Sequence, residues 1–225
     1  MKEKLVFTPL DLRKWKRGAM FYYFSEMAPT GYSLTTQLDI THLLSVVREH
    51  GMKFFPAYLW LVTKNLNGQT ECRVAKKDGQ MGYYNTLTPL YAAFHEEDKT
   101  FSLMWTLYDD SFPEFHKDYL ENQERFGKNH GVLAQPDMLP PENAYTVSAL
   151  PWISFQHFAV HALDSGQKSY YFPSVEAGKF YQAEDGRMYL PLSITCHHAA
   201  MDGYHVKCFL EAFQKDADSF ECFLD

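Results

Sequence analysis

A chain of 225 residues with 46% hydrophobic and 22% charged residues has the composition of a folded globular protein and none of the signature of a disordered one. Its net charge of −7, with no basic cluster denser than Lys76-Lys77, argues against nucleic acid as a partner. No apolar run approaches the ~20 residues of a membrane span, and Met1-Lys2-Glu3-Lys4-Leu5-Val6-Phe7 lacks the apolar core of a signal peptide.

Four cysteines, Cys72, Cys196, Cys208 and Cys222, show no CxxC spacing and read as free thiols, which points to the cytoplasm. The aromatic share of 16% is more than a chain of this size hides easily, so part of it is expected in a ligand pocket or a subunit interface. No repeat or linker divides the sequence, and one domain over residues 1–225 is expected.

In chain order, strand signals begin at 33–37. Asp39 is placed to cap a helix carrying Leu43, Leu44 and Val47 that ends near Gly51. Pro56 fits the first turn of a second helix over 57–66, apolar nearly all round and therefore buried. Strands are expected at 90–94 and 101–108. Ser111 is placed to cap a helix with Phe112, Phe115 and Tyr119 along one face. The stretch 127–143 carries Pro136, Pro140 and Pro141 and is long for a plain loop, which suggests a functional excursion. Strands follow at 145–150 and 188–197. The last alternates, with Leu190, Leu192, Ile194 and Cys196 on one face and Tyr189, Ser193, Thr195 and His197 on the other. After Asp202-Gly203 the period changes, and Val206, Phe209, Leu210 and Phe213 form one helical stripe. Mixed α/β is the class these signals define.

Two histidines therefore stand at the end of a strand, just before a tight turn and a helix. A side chain there reaches a cleft from a rigid backbone, and histidine is the usual general base near neutral pH. His197 and His198 point to opposite faces, so one faces a cleft and the other packs. Asp202 either contacts the ring or caps the following helix. A metal site from Cys196, His197, His198 and His205 is disfavoured, because adjacent strand residues diverge and no familiar zinc spacing is present; no metal is expected.

The segment His197-His198-Ala199-Ala200-Met201-Asp202-Gly203-Tyr204-His205 resembles the HHxxxDG signature of the chloramphenicol acetyltransferase family. Further matches occur in family order over nearly the whole chain: Trp15-Lys16-Arg17, Tyr32-Ser33-Leu34-Thr35 before Asp39-Ile40-Thr41, Lys53-Phe54-Phe55-Pro56, Phe94-His95 with Thr100-Phe101-Ser102, and Ser148-Ala149-Leu150-Pro151-Trp152. The resemblance implies a two-layer sandwich of a mixed β-sheet with helices packed on it, the coenzyme A-dependent acyltransferase fold. It implies acetyl-coenzyme A as co-substrate and a homotrimer with active sites between subunits. His198 is implied as the general base and Ser148 as the donor to the oxyanion. Arg17 and Asp202 are implied to pair and support the turn. Phe24, Ala28, Thr30, Phe101, Leu103, Val160 and Glu176 fall at substrate positions, and Lys53, Phe55, Lys179 and Phe180 at coenzyme positions.

The sequence departs from the resembled pattern at the acceptor wall. Phe24 stands where a tyrosine is expected, Ala28 for a leucine and Thr30 for a cysteine. Leu103 and Trp105 replace small residues, Leu90 and Ala92 replace polar ones, and Glu176 replaces a threonine. The stretch 162–168 also differs in length. The expected function is acetyl transfer from acetyl-coenzyme A to a hydroxyl, with chloramphenicol the leading acceptor. The alternatives are a different hydroxyl acceptor or a catalytically silent trimer that binds a small molecule. The acyltransferase core of 2-oxo acid dehydrogenase complexes, which shares the fold and a related histidine motif, is a further rival.

Overall fold

The computed structural model describes residues 4–160 and 170–224; the stretch 162–168 lies outside the described residues. The chain runs β1 (Phe7–Pro9), α1 (Gly18–Tyr22) leading into a π-helical turn (Tyr23–Met27), β2 (Gly31–Asp39), α2 (Thr41–Glu49), α3 (Phe54–Asn67), β3 (Val74–Lys77) and β4 (Gln80–Tyr84). It continues through β5 (Thr88–His95), β6 (Thr100–Trp105), α4 (Phe112–Phe126), β7 (Ala144–Leu150), β8 (Ser174–Gly178), β9 (Tyr181–Gln182), β10 (Met188–His197) and α5 (Gly203–Ala217).

The large sheet has the order β2-β10-β8-β7-β5-β6, with β9 added to one end of β10. It is mixed: β8 lies parallel to β7 and β7 parallel to β5, while the other pairs are antiparallel. A small sheet, β1-β4-β3, lies apart from it. One face of the large sheet offers Tyr91, Val147, Val175, Leu192 and Ile194, all essentially inaccessible. Against the core pack the helices, with α3 touching both α4 and α5. Helix α3 is buried from Pro56 to Thr63 without interruption, as its all-round apolar sequence requires. Each fully buried leucine or valine there contributes about 1.5–3 kcal/mol.

The opposite face is polar. Ser148, Glu176 and Ser193 form a row across three neighbouring strands, since Glu176 pairs in register with both serines and directly paired residues project to the same side. Residues 151–160 run near this face: the Ser193 hydroxyl donates to the Phe158 carbonyl, and the Lys179 N–H donates to the Ile153 carbonyl at 2.8 Å. Both faces of β10 are therefore buried from Leu190 to Cys196, although its sequence alternates.

The structure agrees with most expected elements and corrects some. β10 and the Ser111 cap of α4 stand as expected, the Ser111 hydroxyl accepting from the Glu114 N–H. Asp39 is not the cap of α2; Ile40 holds that place, and the Asp39 carboxylate accepts from the Thr41 N–H and hydroxyl two residues on. Gly51 ends that helix in the left-handed region at φ 63°, where a side chain would be strained. The strand expected over 101–108 stops at Trp105, whose N–H is taken by the Gln135 side chain at 3.0 Å. The excursion after α4 covers the edge of the sheet: Leu133 bridges to Leu103, and the two backbones exchange bonds of 2.9 Å through Val132 and Ala134. An edge strand is thereby shielded from further pairing. The fold is the coenzyme A-dependent acyltransferase sandwich that the resemblance implied.

Candidate active site

His198 stands one residue beyond β10, and its backbone N–H donates to the Thr30 carbonyl at 2.9 Å, just ahead of β2. Its ring is sandwiched by sequence-distant aromatics. Phe24 stacks on it at 4.0 Å and 13°, and Tyr32 meets it edge-on at 5.2 Å. The ring Nδ1 lies 3.2 Å from the Met201 carbonyl. A carbonyl only accepts, so Nδ1 carries the proton and Nε2 is left with its lone pair. This leaves one free ring nitrogen on a ring that cannot turn without breaking both the bond and the stack.

His197 does something else. Its ring packs on Tyr171 at 4.8 Å, and its Nδ1 accepts the Ala199 N–H at 3.2 Å. Burial, reinforced by neighbouring His198, pushes its pKa below the ordinary value, so it stays neutral. It is the packing histidine of the pair.

Asp202 holds the turn in two ways. One carboxylate oxygen takes the Arg17 guanidinium and the other caps α5 through the Tyr204 N–H at 3.0 Å. Arg17 also reaches the His198 carbonyl at 3.4 Å. His205 Nδ1 lies 2.9 Å from the Asp202 carboxylate and 3.2 Å from its N–H, and serves one of them at a time. Burial pushes the Asp202 carboxyl up, but the Arg17 bond and the positive groups around it outweigh this and hold it below the usual carboxylate range. No hydrogen bond joins Asp202 to the His198 ring among the described residues. The carboxylate is bonded to Arg17 and to the first turn of α5 instead. Removing Arg17 as Arg17→Ala should free the turn, and a displacement of His198 by about 1 Å should lower kcat by up to ~100-fold if His198 acts in the reaction. Steady-state kinetics beside a thermal melt separates this from global unfolding.

The remaining candidate residues fall into separate groups. Ala28 and Thr30 lie beside Phe24, the Thr30 hydroxyl donating to the Ala28 carbonyl at 2.7 Å. Ser148 sits on β7, where its carbonyl accepts from the Tyr58 hydroxyl at 3.2 Å. Lys53 precedes α3, Phe55 packs on Tyr58, Tyr91 and Tyr119, and Phe180 meets Phe54 edge-on at 5.6 Å with Lys179 beside it. Phe101 and Leu103 lie on β6, Phe101 exposed and Leu103 half-buried, and Val160 is exposed at the end of the described segment. Sequence reasoning missed the carbonyl of Met201 and the hydroxyl of Tyr58, because a backbone acceptor carries no residue-type signal. Tyr32 belongs to the Tyr32-Ser33-Leu34-Thr35 match, but its contact with the His198 ring is set by the pairing of β2 with β10, which spacing does not encode.

Glu176 is fully buried on β8. Its Oε1 accepts from the Ser174 hydroxyl, and Oε2 has no partner among the described residues. Burial raises its pKa to about 7, the Ser174 bond offsetting part of the effect.

Strand geometry separates these groups within one chain. Ser148 is level with Ser193 through Glu176, and His198 lies five residues further, about 16 Å along the strand. Phe101 is four strands away from β10, about 19 Å across the sheet. The candidate base and the candidate oxyanion donor are not brought together in a single copy.

A strand-end histidine with a fixed tautomer, on this mixed-sheet sandwich, is the arrangement expected of an acyltransferase of the coenzyme A-dependent class. The family described as chloramphenicol acetyltransferase matches residues 5–214. The chain is 38% identical over 209 residues to a chloramphenicol acetyltransferase of Campylobacter coli, covering 92% of this chain and 97% of the relative. It is 36% identical over 213 residues to one from Staphylococcus aureus, covering 94% and 96%. Among solved structures it superposes on a chloramphenicol acetyltransferase with a TM-score of 0.83 at 22% identity, over 93% of this chain and 99% of that one. The cubic core of the pyruvate dehydrogenase multienzyme complex shares the fold more loosely, with a TM-score of 0.61 at 16% identity over 92% and 89%. The chain belongs to the chloramphenicol acetyltransferase family and is an acyltransferase. No helix among the described residues is long and apolar enough to cross a membrane.

Proposed function

We propose that the protein transfers acetyl from acetyl-coenzyme A to a hydroxyl of chloramphenicol, with His198 as general base. The observation that carries this reading is the Nδ1 bond to Met201, which leaves Nε2 free to take a proton. In the proposed step Nε2 takes the proton of the acceptor hydroxyl as its oxygen attacks the thioester carbonyl. The Ser148 hydroxyl donates to the oxyanion. The intermediate collapses by breaking the carbon–sulfur bond, and His198 returns the proton to the departing thiolate. The products are the acetyl ester and free coenzyme A. Lys53, Phe55, Lys179 and Phe180, gathered near the start of α3, are the residues proposed to hold the coenzyme.

The active form is proposed to be a cytoplasmic homotrimer of one-domain subunits. The separation of His198 from Ser148 and Phe101 supports it: sites complete only when a second copy brings its Ser148 and acceptor wall to His198. Exposed apolar side chains around the first helix, Met20, Tyr22, Tyr23 and Met27, are surface that such contacts would cover. The direct test is coenzyme A release with acetyl-coenzyme A and chloramphenicol. Activity of the native protein no greater than that of His198→Ala sinks the reading. A screen of other hydroxyl acceptors then decides whether the altered wall has changed preference.

Glu176 favours a second reading, binding without turnover, because a carboxylate beside Ser148 would repel a forming oxyanion. The raised pKa answers it: below about pH 7 the group is largely neutral and Oε2 becomes a donor. The folded pKa lies above the unfolded one, so stability from this group is complete below about pH 4.5 and is lost as pH rises through about 7. Glu176→Gln should therefore melt increasingly above the native protein as pH is raised from about 4.5 through about 7, with the difference levelling off above that, and should abolish an alkaline fall in kcat. A melting difference that stays flat across this range contradicts the assignment.

A further inference from the structure

We propose that the tip of the β5–β6 hairpin and His130 form a divalent-cation site of zinc type, apart from the acyl-transfer site, with His95, Glu97 and His130 as ligands. His95 is the last residue of β5 and is buried. Its Nε2 lies 2.9 Å from the Ser102 hydroxyl, and that hydroxyl donates to the Asn129 carbonyl at 2.9 Å. A hydroxyl has one proton, already committed to Asn129, so His95 Nε2 is the donor between the two and Nδ1 carries the lone pair. This is the arrangement that orients metal-binding histidines: one nitrogen donates to a fixed partner and the other is presented as ligand.

His130 follows Asn129 directly, so the group that fixes the His95 tautomer also places the second imidazole. The two rings stack at 4.0 Å and 18°. His130 Nε2 lies 3.0 Å from Glu97 and its Nδ1 3.1 Å from Asp98. Two carboxylates thus meet two stacked imidazoles in one cluster.

One donor atom each from His95, Glu97 and His130 lie within 4.8 Å of one another. Tetrahedral zinc with bonds of about 2.0–2.2 Å needs ligand atoms roughly 3.4 Å apart. The closure falls to His130 and Glu97, whose side chains are 45% and 66% exposed. His130 must also swing out of the stack to aim its lone pair. The hairpin beneath is fixed by the Lys99 N–H bond to the His95 carbonyl at 2.9 Å, with Lys99 at φ 60°. Lys99 spends its charge on Glu96 at 2.6 Å. Two imidazoles and a carboxylate select a borderline ion such as zinc over magnesium or calcium.

The test is calorimetric titration of the chelator-treated full-length protein with zinc chloride, with magnesium chloride as comparison. The native protein should bind zinc at one site per chain. His130→Ala and Glu97→Gln should each weaken that site at least about tenfold, without changing acetyl transfer in zinc-free buffer. Three results overturn the proposal: no zinc binding at millimolar metal, zinc affinity unchanged in both variants, or magnesium bound as well as zinc. Any of these leaves the cluster as hydrogen bonds between His130 and its two carboxylates.

Discussion

Replacing His198 with alanine should lower kcat for chloramphenicol acetylation roughly 1,000- to 10,000-fold while leaving acetyl-coenzyme A binding nearly unchanged. The loss is that of a positioned general base, about 4–5.5 kcal/mol of barrier. The expectation rests on geometry. The Met201 carbonyl accepts the Nδ1–H bond and Phe24 stacks on the ring, so the free Nε2 is aimed by contacts that no other residue reproduces. The polypeptide should still fold, because His198 is only partly buried and its backbone bond to Thr30 survives the substitution. Coenzyme A release in steady state, with a melting curve as control, reads both. A His198→Ala protein within tenfold of the native rate would mean the base lies elsewhere.

Ser148→Ala should lower kcat by about 100- to 1,000-fold, or about 2.7–4 kcal/mol, with KM for both substrates changed little. Only the oxyanion gains from the hydroxyl, so the effect belongs to the transition state. The Tyr58 bond is made to the Ser148 carbonyl and not to its side chain, which leaves the strand intact in the variant. A rise in KM at constant kcat would instead assign Ser148 to ground-state binding.

Much of the fold could be read where local and global signals agree. The 188–197 alternation, the all-round apolar 57–66 and the Ser111 cap each name an element that tertiary packing had no cause to override. What escaped was short or weak in local preference. β8 reads Ser-Val-Glu-Ala-Gly, with Val175 its one good strand former, and is held as a strand by pairing with β7 and β10 on either side. The hairpin of β3 and β4 turns at Asp78-Gly79, both at positive φ, a turn signal present in the sequence and passed over. At the site, the identity of the histidine pair and the Arg17–Asp202 anchor were legible from the motif. The tautomer was not, because it depends on a backbone carbonyl three residues on. Nor could sequence show that Glu176 lies in register with Ser148.

The account turns on His198 and Ser148 acting together across a subunit boundary, and hybrid assemblies test it most directly. His198→Ala and Ser148→Ala chains carrying different tags are coexpressed, and assemblies bearing both tags are purified. In a trimer with sites shared between neighbours, each hybrid keeps one site with both residues intact, so its activity should be about one third of the native value. Hybrids as silent as either parent variant would place both residues in one chain and contradict the account.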